Sequence, residues 1–360
     1  MMIKGKKSIG ILGCAALMAA GSGQVVAEDG AKEGGVQADF YGSLRLQGEY
    51  VDPGNQNVLG DYFGLRDAYS RIGGRLSYSW SAVTGYAHLE IPLDLANLKI
   101  QGPYEQNDTG SHAADQLTDS VRIAKIGVQG DFGNLAFGQD WVPYYNAIAY
   151  PVDMFSSYYS GFATYSIFRR NKMLAYYSPS LAGFSFAGGY MREGGNQEAD
   201  GNYDDRYQLT ASFSFGSTTI SAGLDNQGGE GSNKLYGLSF MHTIEEAGPG
   251  SLYLGGKIER FNSNYDSGYG ADGDTAANLY AGYSMGKNTF KAMIAKVDNY
   301  GDRIIHLGYD YQWNDNLKLF AEYYNEEETA AITTRRGGAA DTRWNADGGQ
   351  VFLVGARYDF

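Results

Sequence analysis

The chain ends in Val351-Phe-Leu-Val-Gly-Ala-Arg-Tyr-Asp-Phe360, where apolar residues alternate with polar or small ones. Side chains of a β-strand point alternately to its two faces, so Phe352, Val354 and Tyr358 share one face. About ten alternating residues are enough to cross a bilayer at a tilt. The stretch therefore predicts a membrane-spanning β-strand that ends on an aromatic residue.

The other end of the chain has the features of an export signal. Residues 1–27 begin with three lysines, continue through an apolar stretch at 9–20 and end in small residues up to Ala27. This pattern predicts a secretory signal peptide. The apolar stretch is shorter than the roughly 20 residues of a spanning helix, which disfavours a membrane anchor. Lipidation at Cys14 is also disfavoured, because almost no apolar region precedes this cysteine, the only one in the chain.

The composition favours a β-barrel among membrane proteins. The 360 residues include 30 Tyr, 17 Phe and 51 Gly but only 7 Pro, and no stretch after residue 27 is apolar enough for a spanning helix. In a barrel only every second residue faces lipid, and aromatic rings collect at the two membrane interfaces. The composition therefore agrees with the alternating C-terminal stretch.

The charge is acidic and excludes some partners. The formal net charge is −13 and falls to about −16 without the three N-terminal lysines. Such a chain has no extended basic face for nucleic acid phosphates. Acidic residues at 200–205 and 326–328 could bind divalent cations that bridge lipopolysaccharide, although solvated loops are the favoured explanation.

Alternating segments follow one another without a break in composition, which predicts one barrel domain, 39–360, after a polar leader at 28–38. Short connections between the segments alternate with mostly longer ones, as periplasmic turns alternate with extracellular loops in bacterial barrels. An even number of about sixteen strands places both termini on one side of the membrane. The predicted strands are 39–50, 67–80, 84–94, 119–129, 133–141, 168–178, 183–192, 204–215, 217–225, 234–244, 251–262, 276–285, 288–298, 303–313, 316–326 and 350–360.

The alternation also predicts which face is inside. In the second predicted strand, Ile72 and Leu76 share one face, and Arg71 and Arg75 share the other. A charged residue costs about 2–4 kcal/mol on the lipid face at the membrane centre. The arginine face is therefore predicted to line the lumen, and sixteen strands enclose more space than side chains can fill.

Several segments together resemble the general diffusion porins, a family of sixteen-stranded, trimeric outer-membrane barrels. They span nearly the whole chain after residue 27, in the family's order and spacing. The matching segments are Phe40-Tyr-Gly-Ser43, Tyr69-Ser-Arg-Ile-Gly-Gly74, Thr84-Gly-Tyr86 with Leu89-Glu90, Phe132-Gly-Asn-Leu-Ala-Phe-Gly138, Tyr176-Tyr-Ser-Pro179 with Gly183-Phe184, and the terminal strand.

The resemblance implies a pore narrowed by the third extracellular loop, which folds into the barrel opposite a ladder of wall arginines. The corresponding loop is 142–167, whose many aromatic residues would be poorly placed in solvent. Packing of this loop against neighbouring subunits is the alternative. The predicted pore-constriction residues are Arg45, Arg71, Arg75, Arg122, Arg169, Arg170, Asp153, Tyr150 and Tyr158.

A transverse field would follow from this arrangement, because wall cations face a loop carboxylate across a narrow water channel. Where the family often has a second loop acid, this chain has Ser156 and Ser157. Several arginines against one carboxylate predict a local preference for anions. The alternative is that lumen arginines only pair with inward acids such as Glu49 and Glu90 and stiffen the wall.

The implied partners are outer-membrane lipid and lipopolysaccharide, two further copies of the chain in a homotrimer, and small hydrophilic solutes. An outer-membrane enzyme is disfavoured, since the four histidines are dispersed along the chain. No metal or cofactor motif is present in the sequence. A channel specific for sugars or phosphate is the closer alternative, and an adhesive or structural barrel with a plugged lumen is a more distant one.

Overall fold

The computed structural model describes residues 35–57, 60–100, 121–159, 164–192, 205–228, 232–267, 270–298, 301–327 and 348–360. The predicted signal peptide and leader residues 28–34 lie outside the described residues. Of the acidic stretch 200–205, the structure describes only Asp205. Of the acidic stretch 326–328, it describes Glu326 and Glu327 but not Glu328.

The described residues contain seventeen β-strands in one antiparallel sheet, and strands that follow each other in sequence pair with each other, except β2 and β3. β1 also pairs with β17, from Ser43 opposite Asp359 to Pro53 opposite Gly349, so the sheet closes into a barrel. The strands are β1 Val36–Pro53, β2 Tyr62–Asp67, β3 Arg71–Trp80, β4 Val83–Pro92, β5 Ile123–Gly130, β6 Gly133–Trp141, β7 Arg169–Tyr177, β8 Phe184–Met191, β9 Arg206–Phe215, β10 Thr218–Gly228, β11 Asn233–Ala247, β12 Gly250–Asn262, β13 Thr275–Met285, β14 Asn288–Val297, β15 Gly301–Gln312, β16 Leu317–Glu326 and β17 Gly349–Asp359.

The barrel has sixteen crossing strands, because β2 and β3 are two parts of one strand that both pair with β1. The prediction of a loop over 51–66 is therefore wrong at both ends: β1 continues to Pro53, and β2 begins at Tyr62. Phe63 and Leu65 alternate with Gly64 and Arg66, and this period of two lets β2 pair with β1. The other predicted strands are confirmed within a few residues of their ends.

The two faces of the sheet differ as the alternation predicts. Phe290 and Ile294 of β14 are exposed on the outer face, while Lys291 and Met293 of the same strand are buried on the inner face. Likewise Leu76, Tyr78 and Trp80 of β3 are exposed on the face opposite Arg71. The inner face therefore carries the charges, and the outer face is apolar as a membrane requires.

The C-terminal residue completes the junction between the first and last strands. The backbone N–H of Gly42 donates to Phe360 O at 2.9 Å, and the Phe360 N–H donates to Gly42 O at 3.1 Å. The Phe360 ring covers Gly42 so closely that a Cβ there would lie 2.3 Å from it. The predicted terminal strand is thus confirmed. The Phe360 ring occupies the space that a side chain at position 42 would fill, so this position requires glycine.

The long connection 142–168 between β6 and β7, here called the β6–β7 segment, is described except for 160–163. It contains a π-helical turn, Tyr145–Ala149, followed by a 3-10 turn, Tyr150–Val152. No helix in the described part of the chain is long and apolar enough to cross a membrane. Tyr144, Ile148 and Tyr159 of the segment are almost fully buried and belong to the main apolar core.

Candidate functional site

Four arginines come together on the inner face, from β1, β3, β7 and the residue just before β5: Arg45, Arg71, Arg169 and Arg122, here called the arginine cluster. Glu90 of β4 joins two of them, since its carboxylate lies 2.8 Å from Arg122 Nε and 3.4 Å from Arg71 Nε. Pairing of lumen arginines with an inward acid, the alternative noted above, thus does occur. One carboxylate nevertheless faces two guanidinium groups, so the pairing does not neutralise the cluster.

The other two members of the cluster extend it toward the β6–β7 segment. Arg45 interacts electrostatically with Arg71 and Arg122, and its Nε donates to Ser43 Oγ at 2.9 Å. The guanidinium carbon of Arg169 lies 4.5 Å from the ring centre of Trp141. The guanidinium carbon of Arg122 lies 5.9 Å from the same ring centre. Arg45 and Arg122 are buried, whereas Arg71 and Arg169 are half-buried.

Asp153 is the carboxylate of the β6–β7 segment that faces this cluster. It interacts electrostatically with Arg45, Arg122 and Arg169, and it accepts a hydrogen bond from the Tyr145 hydroxyl. Burial raises the pKa of the Asp153 carboxyl above its usual range, and the hydrogen bond and the three arginines oppose that shift. Cations on the wall thus face an acid on the segment.

The first part of the β6–β7 segment is anchored to the inner face of β9, β11 and β12. The Tyr144 N–H donates to Gln208 Oε1 at 2.9 Å. The Ser239 hydroxyl donates to Ala147 O at 2.6 Å, and the Tyr253 hydroxyl donates to Pro151 O at 2.9 Å. Tyr150 lies in the 3-10 turn between these anchors, next to Asp153 and Tyr253.

The next part of the segment follows the inner face of β14 to β16. Lys291 Nζ donates to Met154 O at 3.2 Å, and the Ser156 N–H donates to Glu322 Oε1 at 2.8 Å. The Phe155 ring stacks on His306 with 3.5 Å between ring centres. Tyr158 then reaches β1, where its N–H donates to Gln47 Oε1 at 2.8 Å.

Glycines on the inner face make room for the segment. A Cβ at Gly237 would lie 2.2 Å from the Tyr144 hydroxyl oxygen, and one at Gly255 would lie 2.1 Å from Pro151 O. Gly223 meets Ile148 and Tyr144 in the same way, with its closest contact at 2.9 Å. The wall below the segment is therefore shaped to receive it.

We expect Gly237→Val to displace the start of the β6–β7 segment. The new side chain would overlap Tyr144, and overpacking of this kind costs about 1–3 kcal/mol. Single-channel recording of the purified variant should show an altered conductance. Gly188→Val is the matched control, because a Cβ at Gly188, on the outer face of β8, would make only ordinary van der Waals contact, 3.4 Å from Leu209. Equal conductance of both variants and the wild type would contradict the expectation.

Two predicted site residues lie apart from the arginine cluster. Arg75 pairs with Asp39 at 3.2 Å and lies over the Tyr41 ring, nearer the end of the barrel that has the short turns. Arg170 interacts electrostatically with Arg206 of β9. Tyr150 and Tyr158 lie on the segment as expected from the sequence.

Some charged residues at this site were not among the sequence predictions. Arg66 falls between the predicted strands 39–50 and 67–80, yet it lies in β2, pairs with Glu49 at 3.3 Å and lies 4.0 Å from the Tyr158 ring centre. Alternation within β2 was the signal that could have placed it. Among the described residues, no three His, Cys, Asp or Glu side chains are grouped as a metal site requires.

Known proteins share this architecture. A family model described as Gram-negative porin matches residues 13–331. The fold is similar to that of the anion-selective porin from Comamonas acidovorans, with TM-score 0.61, 17% identity and coverage of 91% of this chain and 100% of that chain. Salmonella typhi OmpF in complex with daunomycin gives TM-score 0.63, 15% identity and coverage of 90% and 97%. Vibrio cholerae OmpT in its trimer form gives TM-score 0.58 and 16% identity, and the match covers 90% of this chain and 99% of that chain.

No curated protein matches the chain in sequence. Because the sequence identities to these solved structures are 17% or lower, the comparison with them shows only that the fold is shared. The family model, by contrast, covers most of the chain, including the strands that provide the arginine cluster and the whole β6–β7 segment. The chain belongs to the Gram-negative porin family.

Proposed function

We propose that residues 1–27 direct the chain to the outer membrane, where residues 39–360 form a water-filled channel for small hydrophilic solutes and ions. Membership of the porin family supports this proposal. So does a closed barrel with an apolar outer face and a charged inner face. Solutes would cross by passive diffusion, without a cofactor or a chemical step.

The β6–β7 segment narrows the channel in this proposal. Its contacts follow the inner face from β9 to β16 and reach β1 at Gln47. The arginine cluster comes from β1, β3 and the starts of β5 and β7, and Asp153 faces it from the segment. The opposition of these charges is the observation on which the proposal depends, because a field across a narrow aqueous opening favours polar solutes.

The channel prefers anions in this proposal. The four arginines of the cluster face two carboxylates, Glu90 and Asp153, which leaves a formal charge of about +2 at the narrowest part. The acidic balance of the whole chain acts over longer distances and is screened by salt within about 10 Å. The local charge therefore determines which ions enter most readily.

Recording in planar bilayers tests both the channel and its preference. Purified protein should insert as a conducting pore, and a salt gradient should give a reversal potential of the sign set by anion flow. The absence of any conductance would refute the channel. Conductance with clear cation selectivity would leave the channel in place and refute the anion preference.

The proposed oligomer is a homotrimer. The outer face near the junction of β1 and β17 has a shallow groove that is lined by Gly48 and by Tyr50, Phe63 and Phe352. Small residues let neighbouring barrels approach closely, and the aromatic rim provides apolar area. A trimer should close in three equal conductance steps in the same bilayer recordings.

A further inference from the structure

The junction of β2 and β3 contains a β-bulge that the proposed function does not explain. Ser43 of β1 pairs with Arg71, and Leu46 pairs with Asp67. Three residues, Ala68, Tyr69 and Ser70, therefore oppose only two residues of β1. One extra residue on one strand is the definition of a bulge, and bulges commonly re-aim a side chain.

The hydrogen bonds of the interrupted ladder are replaced within the bulge. The Arg45 N–H donates to Ser70 Oγ at 2.7 Å, and Ser70 Oγ donates to Arg45 O at 3.0 Å. The Ala68 N–H donates to Arg45 O at 3.2 Å, and the Ser70 N–H donates to Asp67 Oδ1 at 2.8 Å. The local sequence thus stabilises the bulge, which is a built feature of the strand.

Tyr69 occupies the strained position of this bulge. Its φ of 70° lies in the left-handed region, which bulky side chains rarely adopt. Strain of this kind persists only where the surroundings impose it, and it is concentrated at functional sites. The observed conformation therefore calls for a role of the Tyr69 side chain.

That side chain reaches the β6–β7 segment at Tyr158. The Tyr69 hydroxyl donates to Tyr158 O at 3.1 Å, and the two rings stack with centres 5.8 Å apart and planes 9° apart. Gln47 and Arg66 hold the same residue through its N–H and its ring. Tyr158 is thus held by β1, by β2 and by the bulge itself.

We propose that Tyr69 is a positioning residue that holds the β6–β7 segment at Tyr158 against the channel wall and so sets the width of the opening beside β1 and β3. The bulge provides this contact by turning the Tyr69 ring toward Tyr158. The inference rests on the proposed function, since the width of the opening matters only in a conducting channel.

The test compares three purified variants with the wild type by single-channel recording in planar bilayers. Tyr69→Asn removes the ring and the hydroxyl, and asparagine tolerates the left-handed conformation. Tyr69→Phe removes only the hydroxyl. Tyr283→Phe is the matched control, because the Tyr283 hydroxyl donates to a carbonyl, Ala247 O, at 3.0 Å far from the segment.

Loss of one hydrogen bond shifts an equilibrium between a docked and an undocked segment by about fivefold. We expect Tyr69→Phe to raise the open-channel current noise, and Tyr69→Asn to raise it further and change the mean conductance. Tyr283→Phe should match the wild type. Electrophoresis with and without heating, in which a folded barrel migrates differently from the heat-denatured chain, should show that all variants fold.

Wild-type noise and conductance in folded Tyr69→Asn would overturn the inference and leave the channel proposal intact. A non-conducting wild type would refute the channel proposal instead. Should Tyr69→Asn fail to fold, Tyr69→Phe decides, because it keeps the ring and the backbone, and wild-type noise in that variant would overturn the inference.

Discussion

Leu279→Arg is expected to destabilise the barrel in a lipid bilayer by about 2–4 kcal/mol, the cost of an arginine on the lipid face near the membrane centre. Leu279 is 54% exposed and lies near the middle of β13, on the outer face. No acid is available there to pair with the new charge among its strand neighbours, Gly256 and Ile294. Urea unfolding of the protein refolded in lipid vesicles measures the loss.

The matched control places the same charge on the inner face. Gln129 of β5 points inward, since it lies an even number of residues from Lys125, which is buried there. Gln129→Arg should leave the free energy of unfolding close to that of the wild type, because water in the lumen solvates the guanidinium group. Equal stability of the two arginine variants would show that the assignment of faces is wrong.

The alternation of side chains explains why most of the barrel was predictable from the sequence. In a closed membrane barrel one face must be apolar, so a period of two persists through nearly every strand. It fails at Ala68, Tyr69 and Ser70, where the bulge inserts a residue. Arg66 and Arg71 both face inward although their positions differ by five, an odd number, and only such an insertion allows this.

The candidate site was less predictable than the fold. Alternation predicts that Arg45 and Arg71 face inward, whereas Arg122 and Arg169 follow only from the family resemblance. Alternation also says nothing about which strands meet across a closed sheet. The path of the β6–β7 segment depends on anchors distributed over distant strands, for example Gln208 and Glu322. These contacts form only after closure, so local sequence patterns do not encode them.

Arg71→Glu combined with Arg169→Glu is expected to reverse the ion preference of the channel. These are the half-buried members of the arginine cluster, and both substitutions together change the formal charge at the opening from about +2 to about −2. A unit charge 4 Å from an ion contributes about 1 kcal/mol even in bulk water, and more beside a protein wall. The reversal potential in a salt gradient should therefore change sign.

Arg75→Glu combined with Arg303→Glu provides the control, since it changes the total charge equally at positions outside the cluster. Arg75 pairs with Asp39, and Arg303 pairs with Glu327 at 2.8 Å at the opposite end of the barrel. If the local field selects ions, the reversal potential of this variant keeps the sign that it has in the wild type. If both double variants shift the reversal potential equally, selectivity follows total charge, and the arginine cluster has no special part in it.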